Sequence, residues 1–140
     1  MDFTPFLDKI KSIPFSSRIY NLTGSSMALF LAMQEKPFIM VEATEETAEA
    51  LYRDILFFRS VLHLNETNGL FFLPEPDGPD VCGKRADVVY RFGEIDSVVT
   101  SNDAAKAPLY GVSELKNRTL MLKPHLEISR DVLEQRLVYL

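Results

Sequence analysis

Eight residues, Asn21-Leu22-Thr23-Gly24-Ser25-Ser26-Met27-Ala28, stand where an α/β chain would cradle a phosphate. A β-forming run, Arg18 to Leu22, precedes Gly24, and an apolar helical run from Met27 to Met33 follows it. A phosphate-binding loop of the pattern G-x-x-x-x-G-K-[ST] surrounds the phosphates with backbone N–H groups. Its lysine neutralises the β/γ charge and its hydroxyl holds Mg²⁺. Laid over this segment, the pattern puts Asn21 and Ser26 at the two glycines, Met27 at the lysine and Ala28 at the metal-binding hydroxyl. Loss of both the lysine and the hydroxyl removes the charge stabilisation that phosphoryl transfer requires. The expectation is therefore no catalytic residue, no nucleotide and no cofactor at this loop. A helix N-terminus with free N–H groups would still attract an anion. An ordinary strand-to-helix turn capped by Thr23 or Ser25 accounts for the same residues.

The other chemically capable residues are sparse. Glu75, Asp77 and Asp80 share one loop, but their spacing matches no calcium loop, and carboxylates between prolines commonly form turns and caps. His63 and His125 have no Cys or His companion at ligand spacing, so no metal site is expected. Cys82 precedes Gly83-Lys84-Arg85, whose cations would lower its pKa, yet no pattern supplies the base a catalytic thiol needs. Ser25 and Ser26 lack the G-x-S-x-G frame of a hydrolase. Lys84, Arg85 and Arg91 are read as a small solvated basic face on one helix. With a formal net charge of -5, neither the composition nor this face predicts direct nucleic-acid binding.

The elements that must position these residues follow from patterning. The chain has 140 residues, 46% hydrophobic and 25% charged, which suits one folded domain. A single cysteine fits a reducing compartment. The start lacks a signal-peptide pattern, and no apolar run approaches the ~18 residues of a membrane span, so a cytoplasmic protein with no membrane partner is expected. Thr4 to Ser12 reads as a short amphipathic helix. Phe38 to Val41 reads as a strand covered on both faces. Thr44 reads as the N-cap of a helix whose stripe is Ala48, Leu51, Tyr52, Ile55 and Leu56. Leu70 to Leu73 is a third strand, and the prolines of Pro74 to Asp80 forbid regular structure. A helix from about Lys84 to Phe92 buries Val88, Val89 and Phe92. Asp96 to Thr100 is a strand, followed by a helical turn at Asn102 to Lys106. Thr119 to Lys123 reads as a strand, and Ser129 caps a helix with Leu133, Leu137 and Leu140 on one face. That apolar stripe meets the end of the sequence without a stop signal, which suggests a piece of a longer chain. Strands alternating with helices predict an α/β fold with a mostly parallel sheet flanked by helices.

In their order, several of these segments resemble a known family. Leu22-Thr23-Gly24-Ser25-Ser26 before an apolar helix, Phe38-Ile39-Met40-Val41 after it, the Leu73-Pro74…Asp77 turn and the run Leu126 to Leu133 look like the amino-terminal region of the bacterial transcription-repair coupling factor. That region is similar to the first part of the excision-repair protein UvrB, whose corresponding loop is Gly-Val-Thr-Gly-Ser-Gly-Lys-Thr. Thr23, Gly24 and Ser25 match that loop, and the surrounding positions depart from it. The resemblance covers nearly the whole chain, most clearly Ile19 to Leu140. It implies a vestigial, UvrB-like, P-loop NTPase-like three-layer domain over residues 1–117. Residues 118–140 would begin the subdomain that docks UvrA. It further implies a non-catalytic structural role in transcription-coupled excision repair. ATP, DNA and RNA polymerase would be handled by other domains of the parent translocase. No partner-contact residue carries over.

Overall fold

The computed structural model describes residues 4–13, 22, 24–64, 69–77, 79–91, 97–109, 111–118, 129–131 and 133–134. Six helices and three strands are assigned among them: α1 (Thr4–Lys11), α2 (Ser25–Ala32), β1 (Phe38–Glu42), α3 (Glu45–Val61), β2 (Leu70–Leu73), α4 (Pro79–Tyr90), β3 (Ser97–Ser101), α5 (Asn102–Lys106) and α6 (Val112–Arg118). The strands form one parallel sheet in the order β1-β3-β2, so this is an α/β arrangement. Phe38 and Leu70 both align with Ser97, and the register continues to Glu42 opposite Ser101 and Leu73 opposite Thr100.

Among the described strands, the central one is the last in sequence. Every residue of β3 is buried, although three of its five carry hydroxyls. Each hydroxyl has a partner, as burial demands. The Phe38 N–H donates to Ser97 Oγ (3.2 Å), Thr100 Oγ donates to Leu73 O (2.9 Å), and Ser101 Oγ donates to Glu75 Oε1 (2.6 Å). These bonds stitch β3 to both neighbours beyond the backbone ladder.

Alternation divides the sheet residues between two faces. On one face, Phe38, Leu70 and Val99 form a core with Ala28, Leu31 and Ala32 of α2 and Ala48, Leu51 and Ile55 of α3. On the other, Leu73 and Val98 pack against Val88 of α4, with Phe71 half-buried beside them. The β1–α3–β2 crossover passes over β3, and the β2–α4–β3 crossover returns on the opposite face. Reversing both direction and face preserves the handedness that parallel units require.

Helix α3 has a fully specified start and stop. Thr44 and Thr47 form a reciprocal capping box, with Glu45 and Glu46 in the first turn, where negative charge meets the helix dipole. At the other end His63 adopts a left-handed φ of 50°. Its N–H bonds Ser60 O (3.1 Å) while Leu64 N–H reaches Arg59 O (3.0 Å), the paired closure that satisfies terminal carbonyls.

Several expectations change. Helix α2 begins two residues earlier than its apolar run and ends one earlier, at Ala32. Strand β1 is not covered on both faces among the described residues: Ile39 is 69% and Val41 46% exposed. Leu56 lies outside the α3 stripe, 40% exposed. The proline-rich loop is shorter than expected because α4 starts at Pro79, five residues before Lys84. Proline suits a first helical turn, since its missing N–H would have had no helical acceptor and its fixed φ is already helical. Helix α6 has no counterpart in the sequence reading. The strand at Arg18 to Leu22 lies outside the described residues except for Leu22, which has no regular structure; the strand at Thr119 to Lys123 lies outside them entirely. Near Ser129, Leu133 N–H donates to Ser129 O (3.1 Å) and Arg130 pairs with Glu134 at helical spacing (2.6 Å). Leu137 and Leu140 fall outside the described residues.

Candidate functional site

The loop singled out by its likeness to a phosphate cradle leads directly into α2. Gly24 is the N-cap, with φ 53° and ψ -134°, and as a glycine it makes no side-chain cap bond. Ser25 is the first residue of α2 and therefore not its N-cap. Thr23 and Asn21 lie outside the described residues. A left-handed φ is costly for residues with a Cβ, which gives Gly24 a backbone reason to be glycine. Ser25 and Ser26 are exposed at the first turn. Met27 is half-buried against the α2/α3 core, and Ala28 is 0% exposed. The positions of the missing lysine and hydroxyl therefore belong to the hydrophobic core. Ala28 is enclosed on all sides, and an added hydroxyl there would need a buried partner.

A second polar constellation, unnoticed in the sequence, lies at the carboxyl end of the strands, where open α/β sheets commonly place ligands. Glu75 follows β2. Its backbone N–H donates to Glu45 Oε1 (3.0 Å) and its own Oε1 accepts from Ser101 Oγ (2.6 Å). Ser101 also accepts from the Ala104 N–H (3.1 Å), capping α5. Behind this network sits Arg85 of α4, 6% exposed. Its guanidinium donates to Pro74 O at short range and, through Nη1 and Nη2, to Ala104 O at 3.5 and 3.4 Å. The arginine thus ties the segment after β2 to α5. No match to the chain was found among protein-family models, curated proteins or solved structures.

The remaining candidates disperse. Asp77 is exposed, and the side chains of Asp80 and Cys82 lie outside the described set. Among the described residues, no three His, Cys, Asp or Glu side chains gather as a metal-binding group. His63 is exposed and serves the α3 terminus; His125 lies outside the described residues. The basic face on α4 is not one face. Lys84 is exposed, whereas Arg91 pairs with Asp87 (2.9 Å) with its guanidinium 5.8 Å from the Phe71 ring centre. Arg85 turns inward. Its spacing of three residues before Val88 places it on the buried stripe, a signal readable from helical periodicity. No described helix is long and apolar enough to cross a membrane.

Beside Arg85 a cavity of about 430 Å³ opens between α4 and α6, with Pro76 and the Pro108–Leu109 segment at its rim. Gly83, Ala86 and Val89 line it from α4 and Leu115 from α6. Its walls are mainly apolar, and Arg85 is the cationic residue among the described ones that line it.

Proposed function

We propose that this chain is a non-catalytic structural and protein-interaction domain, the amino-terminal UvrB-like part of a transcription-repair coupling factor. Residues 1–117 would form the vestigial P-loop NTPase-like unit, and 118–140 would lead into the UvrA-docking subdomain. Its role would be to support that docking element inside an ATP-driven translocase that displaces stalled RNA polymerase. The observation that carries the non-catalytic reading is the burial of Ala28, with Met27 packed beside it. The two positions that would supply the lysine and the metal hydroxyl hold up the core instead. The interaction reading draws on the exposed apolar side chains of Ile39 on β1 and Phe57 on α3, 69% and 60% accessible. The two stand on opposite sides of the sheet, so the reading takes each as a separate contact point rather than as one patch.

Calorimetric titration of Mg-ATP, paired with a phosphate-release assay, tests the first part. The expected result is no saturable heat and no turnover; micromolar binding with turnover overturns the proposal. Co-purification of UvrA with the chain extended through its following subdomain tests the second part, and failure of that extended chain to retain UvrA would count against it.

One observation keeps a second reading in view, a small phosphate- or nucleotide-binding protein acting through Thr23 to Ser26. Gly24, the N-cap, has no side chain with which to bond the first N–H groups of α2, and Ser25 and Ser26 are exposed. That reading predicts phosphate-dependent amide shifts at Gly24, Ser25 and Ser26 that disappear in Gly24→Val.

A further inference from the structure

We propose that the cavity between α4 and α6 is a binding site for a small amphipathic carboxylate, its apolar body enclosed by the helices and its charge turned toward Arg85. Three independent features of the chain converge on it. The first is size and lining. A volume of about 430 Å³ falls within the range of small-molecule sites, and Ala86, Val89, Leu109 and Leu115 give it an apolar wall.

The second is the charge in that wall. Arg85 is 6% exposed, and its two acceptors are the neutral carbonyls of Pro74 and Ala104. A guanidinium carries five N–H donors, and these bonds occupy only part of them. No carboxylate is paired with Arg85 among the described residues. Buried cations are ordinarily compensated by an anion, because the loss of hydration is not made up by neutral acceptors alone. A ligand carboxylate would complete the set and match the planar fork of the guanidinium.

The third is Gly83. It stands inside α4, where glycine is a poorer helix former than alanine. Neither the local backbone nor packing demands it: a Cβ built there meets nothing within 4 Å. The residue contributes to the cavity by what it omits. Larger side chains at this position would project into the space that the ligand body would occupy. The site is separate from the α2 loop and does not depend on the docking role proposed above.

Sodium octanoate, with 1-octanol and octylammonium as neutral and cationic counterparts, provides the probes. The full 140-residue chain is titrated below micelle formation, followed by calorimetry and by amide shifts. Octanoate is expected to shift residues of α4, α6 and the Pro108–Leu109 segment and to bind at least about tenfold more tightly than octanol, with octylammonium weaker still. Gly83→Phe, whose Cβ has open space, is expected to fold as the parent does and to lose octanoate binding by about tenfold or more. Arg85→Lys and Arg85→Gln are compared for charge preference: the lysine variant should retain some discrimination between octanoate and octanol, and the glutamine variant should lose it. If Arg85→Gln does not fold, the Gly83→Phe result and the ranking of the three probes still decide. Absence of octanoate binding, equal binding of octanol, shifts confined to other regions, or unchanged octanoate affinity in a folded Gly83→Phe protein would each overturn the proposal.

Discussion

On one face of the sheet, α2 and α3 close over Phe38, Leu70 and Val99, and Ile55 and Val99 reach complete burial. On the other, α4 covers Leu73 and Val98 but leaves Ile39 and Val41 of β1 exposed. The same strand therefore contributes Phe38 to a sealed core and Ile39, one residue later, to an open surface. The difference lies in the number of helices each face receives. Among the described residues, α2 and α3 pack together over the first face, whereas α4 packs on Leu73 and Val98 of the second. The sealed core and the open side chains of β1 thus lie on opposite faces of one sheet.

The contrast is sharpest where the core is deepest. Ile55→Ala should lower unfolding stability by about 2–5 kcal/mol in denaturant titration, since it empties a fully enclosed site. On the second face, Val88→Ala should cost about 2 kcal/mol, because its cluster is smaller and closer to solvent. A loss equal to that of Ile55→Ala would erase the distinction between the faces. Ile39→Thr should change stability by less than about 0.5 kcal/mol while reducing apolar-dye binding. A large loss there would show that the surface is covered in solution. The smallest effect concerns pH. Burial raises the Tyr52 hydroxyl above its ordinary value of 10.0. Its folded-state pKa thus exceeds the unfolded one, so its contribution is fully present below pH 10.0 and is lost as pH climbs through the raised value. Tyr52→Phe should flatten the alkaline limb of a stability–pH curve and leave the neutral region unchanged.

Much of the scaffold is legible in the sequence because periodic burial writes itself into residue order. Thr44, Glu45, Glu46 and the stripe of Ala48, Leu51 and Ile55 announce α3, and the apolar runs at Phe38 and Leu70 announce two strands of the sheet. What is hidden depends on partners distant in sequence. An apolar run does not reveal whether one helix or two will cover it, which is why β1 reads as doubly buried and is not. Pro79 reads as a breaker because its helix-starting use depends on the turn that follows. At the carboxyl edge, Glu45 opens α3, Glu75 follows β2 and Ser101 ends β3, and only the parallel order β1-β3-β2 brings them together. Helical spacing from Val88 points Arg85 inward, but its acceptors, the carbonyls of Pro74 and Ala104, are set by the tertiary fold.

The position of β3 also governs how this sheet can assemble in time. Among the described strands, β1 and β2 bond to β3 and not to each other. The contacts that join them span 59 residues from Phe38 to Ser97 and 27 from Leu73 to Thr100. A nascent chain that has emerged only as far as Tyr90 therefore holds two strand sequences with no third between them. Loops of this length close late, and unpaired apolar strands are prone to join the wrong neighbour. Release of Ser97 to Ser101 from the ribosome is the step at which two strand–helix units, β1–α3 and β2–α4, become one sheet.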